Sequence, residues 1–444
     1  TRAFTLEQLS QEYIITARAK GVPEWRVVWG HAFRNIAVPL LTVIALTYGN
    51  LLEGSVLTEI VFSWPGIGSY LTGALMNADM SAILGSTLVI GTVFVVINLL
   101  TDVLYAVFDP RARRKTGVWK RKLLALVSEA RNAMNLDNSN LADTKQPLRD
   151  WLLSDAPASP RQAFWGLWYR RARRFARNPL SMAGLLVLVV LLLVALLAPW
   201  IATHDPLAQV LGDRLQPIGS AGHWLGTDQL GRDIFSRVVY GSRLTLVIAM
   251  LVLVIVVPIG LLIGVVAGYF GGWVDTVLMR VTDIALAFPK IVLALAFAAA
   301  MGPGVVDAVI AIPITAWPAY ARLARAETLK FVESDYIHAA RLQGASTLRI
   351  LWRYITPLCM SSVIVRATLD MAGIILTVAG LGFLGLGAQP PSPEWGFMVA
   401  SGRNVLVDAW WVATVPGIAI LIVSLAFNLL GDGLRDVFDP RHAD

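Results

Sequence analysis

Charge is what this sequence has least of. Only 15% of its 444 residues are Asp, Glu, Lys or Arg, against about 25% in soluble domains. With 56% hydrophobic residues and a mean hydropathy of +0.63, that scarcity excludes an ordinary soluble globule and points into a bilayer. Cysteine is scarcer still: Cys359 stands alone, so no disulfide forms within the chain. The five histidines, His31, His204, His223, His338 and His442, show no metal-ligand spacing, and no metal is expected. The chain contains no G-x-x-x-x-G-K-[ST] and no Gly-Lys pair at all, so it lacks a phosphate-cradling loop of its own. No grouping of serine, histidine and carboxylate suggests catalysis, and an enzyme is not expected. The first residue is Thr1 and a polar stretch follows; no signal peptide is read, and the true N-terminus is expected upstream.

What is present is a set of long apolar runs. Charge-free stretches occupy 181–203, 244–274 and 409–431, and 35–52 and 80–101 reach a similar length. About 18 such residues suffice for a helix to cross a membrane, and unpaired backbone is not tolerated in lipid, so these runs are expected to be helices. Two weaker spans are expected near 284–306, interrupted by Lys290, and 305–321, which contains Asp307.

The two ends of the chain repeat each other. YIITARAKG (13–21) aligns with YIHAARLQG (336–344), and over 13–29 and 336–352 seven of seventeen positions are identical, among them Arg26/Arg349 and Trp29/Trp352. Downstream, NLLTDVLYAVFDPR (98–111) matches NLLGDGLRDVFDPR (428–441) at ten of fourteen. The glycine-to-aspartate spacing is 88 residues in one copy and 95 in the other. A match of motif and spacing together marks a true internal repeat. The second copy carries extra spans before its polar phrase, so the expected architecture is an all-α polytopic membrane protein with about eight transmembrane helices. Two lie in a first part, 1–111, and six in a second, 168–444. A basic linker, 112–167, joins them; within it KRKLLALVSEARNAM (120–134) is a candidate membrane-surface helix. Membrane lipid is an expected partner.

Basic residues set the orientation. WYRRARRFARNP (168–179) and 322–353 are rich in Arg, whereas 53–79 has no Lys or Arg and 384–408 has only Arg403. Both polar phrases therefore lie on the cytoplasmic side, and the repeats are direct. The net charge of +7 is accounted for in this way, and no nucleic acid is expected.

Each polar phrase reads as a joint. In 338–344 small residues precede Gly344, which permits a sharp turn, and Leu348, Leu351, Trp352 and Ile355 then fall on one helical stripe. Pro357 opens the next span. The expected object is helix, glycine turn, short amphipathic helix, membrane, suited to docking in a groove of a partner.

These residues resemble the EAA loop of ATP-binding-cassette (ABC) importer permeases: EAA, three residues, Gly, nine residues, then I-x-L-P. Residues 338–357 keep that register, with His338, Tyr354 and Thr356 as departures. The first copy has Ile15 and Thr16 in place of the first two letters, and Pro39 comes five residues late. HWLGTDQLGRDIFSRVVYGSR (223–243), FLGLGAQPPSPEWG (383–396) and APWIATHDP (198–206) resemble the second permease of the dipeptide, oligopeptide and nickel class, and VFSWPGIG (61–68) with FDPR resembles the end of its first. The resemblance implies a type I permease-like bundle in a bacterial inner membrane, importing di- or oligopeptides. It also implies two ATPase subunits that bind ATP and Mg, with no cofactor in this chain, and a periplasmic or lipid-anchored binding protein. The four helices missing from the first half would come from a second permease subunit or an absent part of that half. The implied ATPase-coupling residues are Ala17, Arg18 and Gly21, with Ala339, Ala340, Arg341 and Gly344. In the external segment, His223, Trp224, Gly226, Thr227, Asp228, Gly231, Arg232 and Asp233 form either a lid that meets the binding protein or a well-folded cap.

Three features stay outside that scheme. Arg366 and Asp370 are spaced i, i+4 inside a span and are expected to pair near its cytoplasmic end. The Gly/Pro-rich loops 63–68 and 386–396 occupy the same stage of each repeat, as turns or gates. The competing readings are an importer for nickel or another small solute and a secondary transporter that needs no ATP. The latter is disfavoured by direct repeats and few ionisable residues at mid-membrane.

Overall fold

The computed structural model describes residues 8–9, 11–33, 36, 40, 44, 47, 58–59, 64–77, 79–108, 159–288 and 290–438. Among these no strand occurs; two isolated bridges, Ser220 with His223 and Thr227 with Asp233, are the only β pairing. The expected helix at 120–134 and the Asp-Pro-Arg of both FDPR ends lie outside the described residues, as does most of the expected span 35–52. The chain forms two compact units, 1–55 with 89–151 and 56–88 with 152–444.

The helices, in order, are α1 (Glu12–Ala19), α2 (Glu24–Arg26), α3 (Ile67–Met76), α4 (Met80–Phe108), α5 (Pro160–Ala176), α6 (Pro179–Leu196), α7 (Ala198–Ile201) and α8 (Ile234–Phe270). Then follow α9 (Gly272–Leu286), α10 (Lys290–Met301), α11 (Val305–Phe331), α12 (Asp335–Leu342), α13 (Thr347–Arg349), α14 (Thr356–Phe383), α15 (Trp395–Gly402) and α16 (Trp411–Phe438). Sequence punctuates them. Ser159 accepts the Gln162 N–H and Pro160 occupies the first turn of α5; Asn178 and Pro179 do the same for α6. Both use a proline where no amide partner is needed. Residues 160–167, placed by sequence in the linker, are the first half of α5.

Among the described residues, four helical stretches are long and apolar enough to cross a membrane: α6, α8, the continuous Thr347–Phe383 and α16. A fifth crossing needs α9 and α10 together, and these are bent by 85°. The single span expected over 284–306 is therefore two helices with a break, because Phe288, Pro289 and Lys290 interrupt the apolar run. The span expected at 305–321 continues to Phe331 in α11, whose second half carries Arg322, Arg325, Glu327 and Lys330 and so departs from a purely apolar helix. In α4 the apolar stretch is Ser81–Ile97, shorter than a full crossing.

The second unit is built around α8 and α11, its most extensively packed pair. Gly260, Gly264 and Gly268 recur every fourth residue along α8, and each lies against the α11 backbone or Cβ atoms. A methyl group built on Gly264 would stand 2.3 Å from the Ala321 carbonyl oxygen. Small residues at this spacing let two helices approach closely where there is no hydrophobic force to draw them together. Around this pair α16 packs on α6, α14 and α15.

The two Gly/Pro-rich loops do end in a shared device. Each is followed by a short helix, α3 or α15, whose first amides point at a glutamate. Glu59 accepts from the Gly68 and Ser69 N–H groups at 2.8 and 2.9 Å. Glu394 accepts from Gly396 and Phe397 at 2.9 and 2.8 Å. Burial of Glu394 pushes its carboxyl above the usual range, although the two amides act in the opposite direction. A carboxyl raised in the folded state adds stability below the unfolded value of about 4.3 and loses it as pH climbs through the folded value. Melting of wild type should thus decline above about pH 4.3, and Glu394→Gln should flatten that slope. Glu394→Ala strands two buried amides and should cost about 1–3 kcal/mol, read by thermal denaturation in detergent.

Candidate functional site

Both copies of the polar phrase fold alike. α1 ends with the Gly21 N–H bonded to the Arg18 carbonyl (2.9 Å) and the Val22 N–H to that of Ala17 (3.2 Å). α12 ends with Gly344 bonded to Arg341 (3.0 Å) and Ala345 to Ala340 (3.1 Å). This is the Schellman pair of bonds, which needs a left-handed residue just past the helix; Gly21 has φ +75° and Gly344 φ +77°. Pro23 in one copy and Ser346 in the other then start a new helix in extended conformation. That helix passes into a π-helical turn, Val27–Ala32 in the first copy and Ile350–Ile355 in the second. Every element is offset by the same 323 residues as the sequence repeat.

The π turn changes which side faces in. The sequence stripe of Leu348, Leu351, Trp352 and Ile355 divides: Leu351 and Ile355 are buried with Ile350, while Leu348 and Trp352 are exposed. A π turn inserts one residue into the helical repeat, so i, i+3, i+4, i+7 spacing no longer tracks one face. In the first copy Val27 and Ala32 are buried and Trp25 and Trp29 exposed. Ile14 and Ile337, at the same position in α1 and α12, are both fully buried. Ile14 forms a small core with Val27, Ala32 and Ile36, against which Ala17 packs.

Of the expected coupling residues, Ala340 is buried, Ala17 half-buried, and Arg18, Gly21, Ala339, Arg341 and Gly344 exposed. Arg18 binds Glu24 through two contacts, at 2.6 and 3.3 Å, across the turn. Arg341 lies over the Tyr269 ring at 5.3 Å. Next to the turn Leu342 is 90% exposed, and Tyr336 stacks on Tyr354. Each copy thus presents aromatic and aliphatic side chains outward around a glycine hinge, an unusual outward placement for groups of this size.

Of the two readings open for the external segment, lid or cap, its burial pattern is that of a cap. Of its eight expected residues only Trp224 is exposed; the other seven are buried. Asp228 accepts from the Leu230 and Arg232 amides and from Arg232 Nε at 2.7 Å. Asp233 caps α8 by accepting the Ser236 N–H at 2.8 Å, and faces His223 Nδ1 at 2.9 Å. Burial disfavours its charge, but the bonds from Ser236 and His223 prevail and hold the carboxyl below the usual range. Thr227 Oγ1 accepts the Gln216 N–H at 2.8 Å and donates to the Asp213 carbonyl. Gly226 and Gly231 have positive φ, and a methyl group on either would enter the Gln216 or Val210 carbonyl. Arg237 is almost fully buried, and its guanidinium binds the Pro206 carbonyl. Polar residues that look like contacts in sequence are here the internal frame of a cap, with Asp228, Asp233 and Thr227 each paired as burial demands.

Folding also unites residues that linear spacing kept apart. His204 and His223 stack with ring centroids 4.8 Å apart, and donor atoms of both and of Asp233 lie within 4.8 Å of one another. Each ring nitrogen involved has a protein partner: His223 Nδ1 faces Asp233, and His204 Nδ1 faces Thr203 at 3.0 Å. The cluster ties residues 203–204 to the start of α8.

An apolar helical bundle with a duplicated polar joint is the architecture of a polytopic membrane protein. Residues 1–114 and 260–444 match the family described as binding-protein-dependent transport system inner membrane component. Residues 166–217 match the N-terminal transmembrane domain of oligopeptide transport permease C. The chain belongs to this family of inner membrane permeases, and it is not itself an enzyme. It is 45% identical over 288 residues to the di/tripeptide transport system permease protein DppC of Pseudomonas aeruginosa, covering 64% of this chain and 93% of that one. It is 46% identical over 264 residues to a probable D,D-dipeptide transport system permease of Escherichia coli, covering 60% and 88%. To the glutathione transport system permease of Pectobacterium atrosepticum it is 43% identical over 283 residues, covering 64% and 92%.

Proposed function

We propose that this chain is the permease of an ATP-driven importer for di- or oligopeptides. The observation that carries the mechanism is the duplicated joint: two segments with the same glycine hinge, π turn and outward hydrophobic residues. Such a pair suits two ATPase subunits, one per joint. ATP and Mg belong to those subunits. A binding protein delivers the peptide to the external cap, where Trp224 is the exposed residue among those read from sequence. The relatives' names favour peptides over nickel or another small solute, since three of them refer to peptides or glutathione.

The experiment is purification of the chain with its ATPase subunits, followed by uptake of labelled dialanine into proteoliposomes. Uptake is expected to require both ATP and the binding protein. Failure to associate with the ATPase subunits, or uptake in the absence of ATP, would remove the importer reading.

A further inference from the structure

Charges within a membrane bundle are costly and mark function or pairing. Arg366 and Asp370 form the ion pair read from sequence, with Nε to Oδ2 at 2.8 Å. They are not near the end of their helix: α14 runs Thr356–Phe383, so Asp370 is at its middle, about 21 Å along its axis. Their surroundings are more informative than the pair itself. Both side chains line a cavity of about 90 Å³, together with Lys290, Thr315, Tyr320 and Thr377. Lys290 opens α10 at the break after α9, and Leu286 at the other side of that break lines the same cavity. A broken span is tolerated in a bilayer where its loose backbone faces protein or a water-filled space, and such breaks gather at binding sites. Tyr320, 1% exposed, has a buried hydroxyl with no hydrogen-bond partner. Asp370 lines the same cavity. An orphaned hydroxyl costs stability unless something else bonds to it.

A mid-helix ion pair, a helix break and an unpartnered hydroxyl thus converge on one small space. We propose that Arg366, Asp370 and Tyr320 form a subsite on the translocation path for the charged ends of a zwitterionic peptide. Asp370 takes the ammonium end and Arg366 the carboxylate end, with Tyr320 donating its free hydroxyl. The physical logic is exchange. A zwitterion brings one charge of each sign, so the protein's internal pair opens into two new pairs without leaving a net charge in a low-dielectric interior. The resting pair keeps the site neutral between substrates. At about 90 Å³ the closed space is smaller than a dipeptide and widens as the pair opens, and recognition falls on the charged ends that all short peptides share and not on side chains.

The proposal rests on the peptide-import reading, and the test separates the two. The complete transporter, reconstituted with its ATPase subunits and saturating binding protein, is assayed for dialanine uptake. Wild type is compared with the double substitution Arg366→Leu with Asp370→Leu, which removes both charges and strands neither. If the pair were only a structural brace, the neutral double variant would transport like wild type, since replacing both members of a part-exposed ion pair is often close to neutral. The subsite predicts that it assembles and hydrolyses ATP but loses uptake by about tenfold or more, equivalent to about 1.4 kcal/mol of barrier. Where the leucines prevent assembly, Arg366→Gln with Asp370→Asn makes the same comparison. Wild-type uptake with unchanged uptake in the neutral double variant overturns the subsite alone. Absence of wild-type dialanine uptake overturns the peptide reading, and the subsite with it.

Discussion

Valine in place of Gly344 should cut ATP-driven uptake by a factor of about five to thirty while the subunit still assembles. Gly344 has φ +77° and nothing within 4 Å of where a Cβ would stand. Crowding is therefore not the issue; conformation is. A left-handed backbone costs a residue with a Cβ about 1–2 kcal/mol, and a bias of that size corresponds to a factor of about 5–30. The β-branched valine suffers most, because its side chain crowds the following carbonyl. Asparagine tolerates the left-handed region, so Gly344→Asn should retain most of the activity. The same order, Asn above Val, should hold at Gly21, which has φ +75° and equally open surroundings. Uptake and ATP hydrolysis measured together give the reading: valine should lower uptake per ATP hydrolysed. Identical coupling in the valine and asparagine variants would take the glycine turn out of the mechanism.

The second large effect is structural. Leucine at Gly264 should destabilise the second unit by about 1–3 kcal/mol or more, the range for overpacked cores. Here even a methyl group meets the Ala321 carbonyl oxygen at 2.3 Å and Ala324 Cβ at 2.7 Å. Backbone on the facing helix cannot rotate aside as a side chain does, so α8 and α11 must separate. That pair organises the bundle, and separating it also disturbs Tyr320, which lies against Gly260. Gly417 in α16 is the matched control, since nothing stands within 4 Å of its Cβ position. Gly417→Ala should be neutral or should stabilise by up to about 1 kcal/mol through helix propensity. Thermal unfolding in detergent distinguishes the two; equal melting of Gly264→Leu and Gly417→Ala would show that the close approach does not hold the bundle together.

Much of this architecture was legible in the sequence because membranes impose strong rules. Apolar run length located α6, α8 and α16, and the repeated YI-x-x-AR-x-x-G gave both joints with the correct glycine. What composition could not reveal were features set by one-residue changes in geometry. The π turn at Ile350–Ile355 shifted the buried face and divided the expected stripe, yet no residue type signals such a turn. The break between α9 and α10 was visible only as an interrupting Lys290, which by itself is equally compatible with a charge reaching out of a continuous helix. The external segment stayed open between lid and cap for a different reason. Aspartate, arginine and threonine are the same letters whether they meet a partner or satisfy the amides of a tight loop, and only folding showed Asp228 and Thr227 turned inward. The His204–His223 stack joins residues far enough apart that no spacing rule applies.

The central claim, that the repeated joint is where an ATPase docks, is tested most directly by cross-linking. Leu342 sits beside the Gly344 turn, is 90% exposed and is apolar. The one native cysteine, Cys359, is buried and can be replaced by serine. A single cysteine at position 342, treated with a short bifunctional thiol reagent in the purified transporter, should give one covalent product containing this chain and an ATPase subunit. The yield should change between nucleotide-free and ATP-bound states. A complex that contains the ATPase but never cross-links from position 342, with the probe freely labelled in both states, would contradict the account.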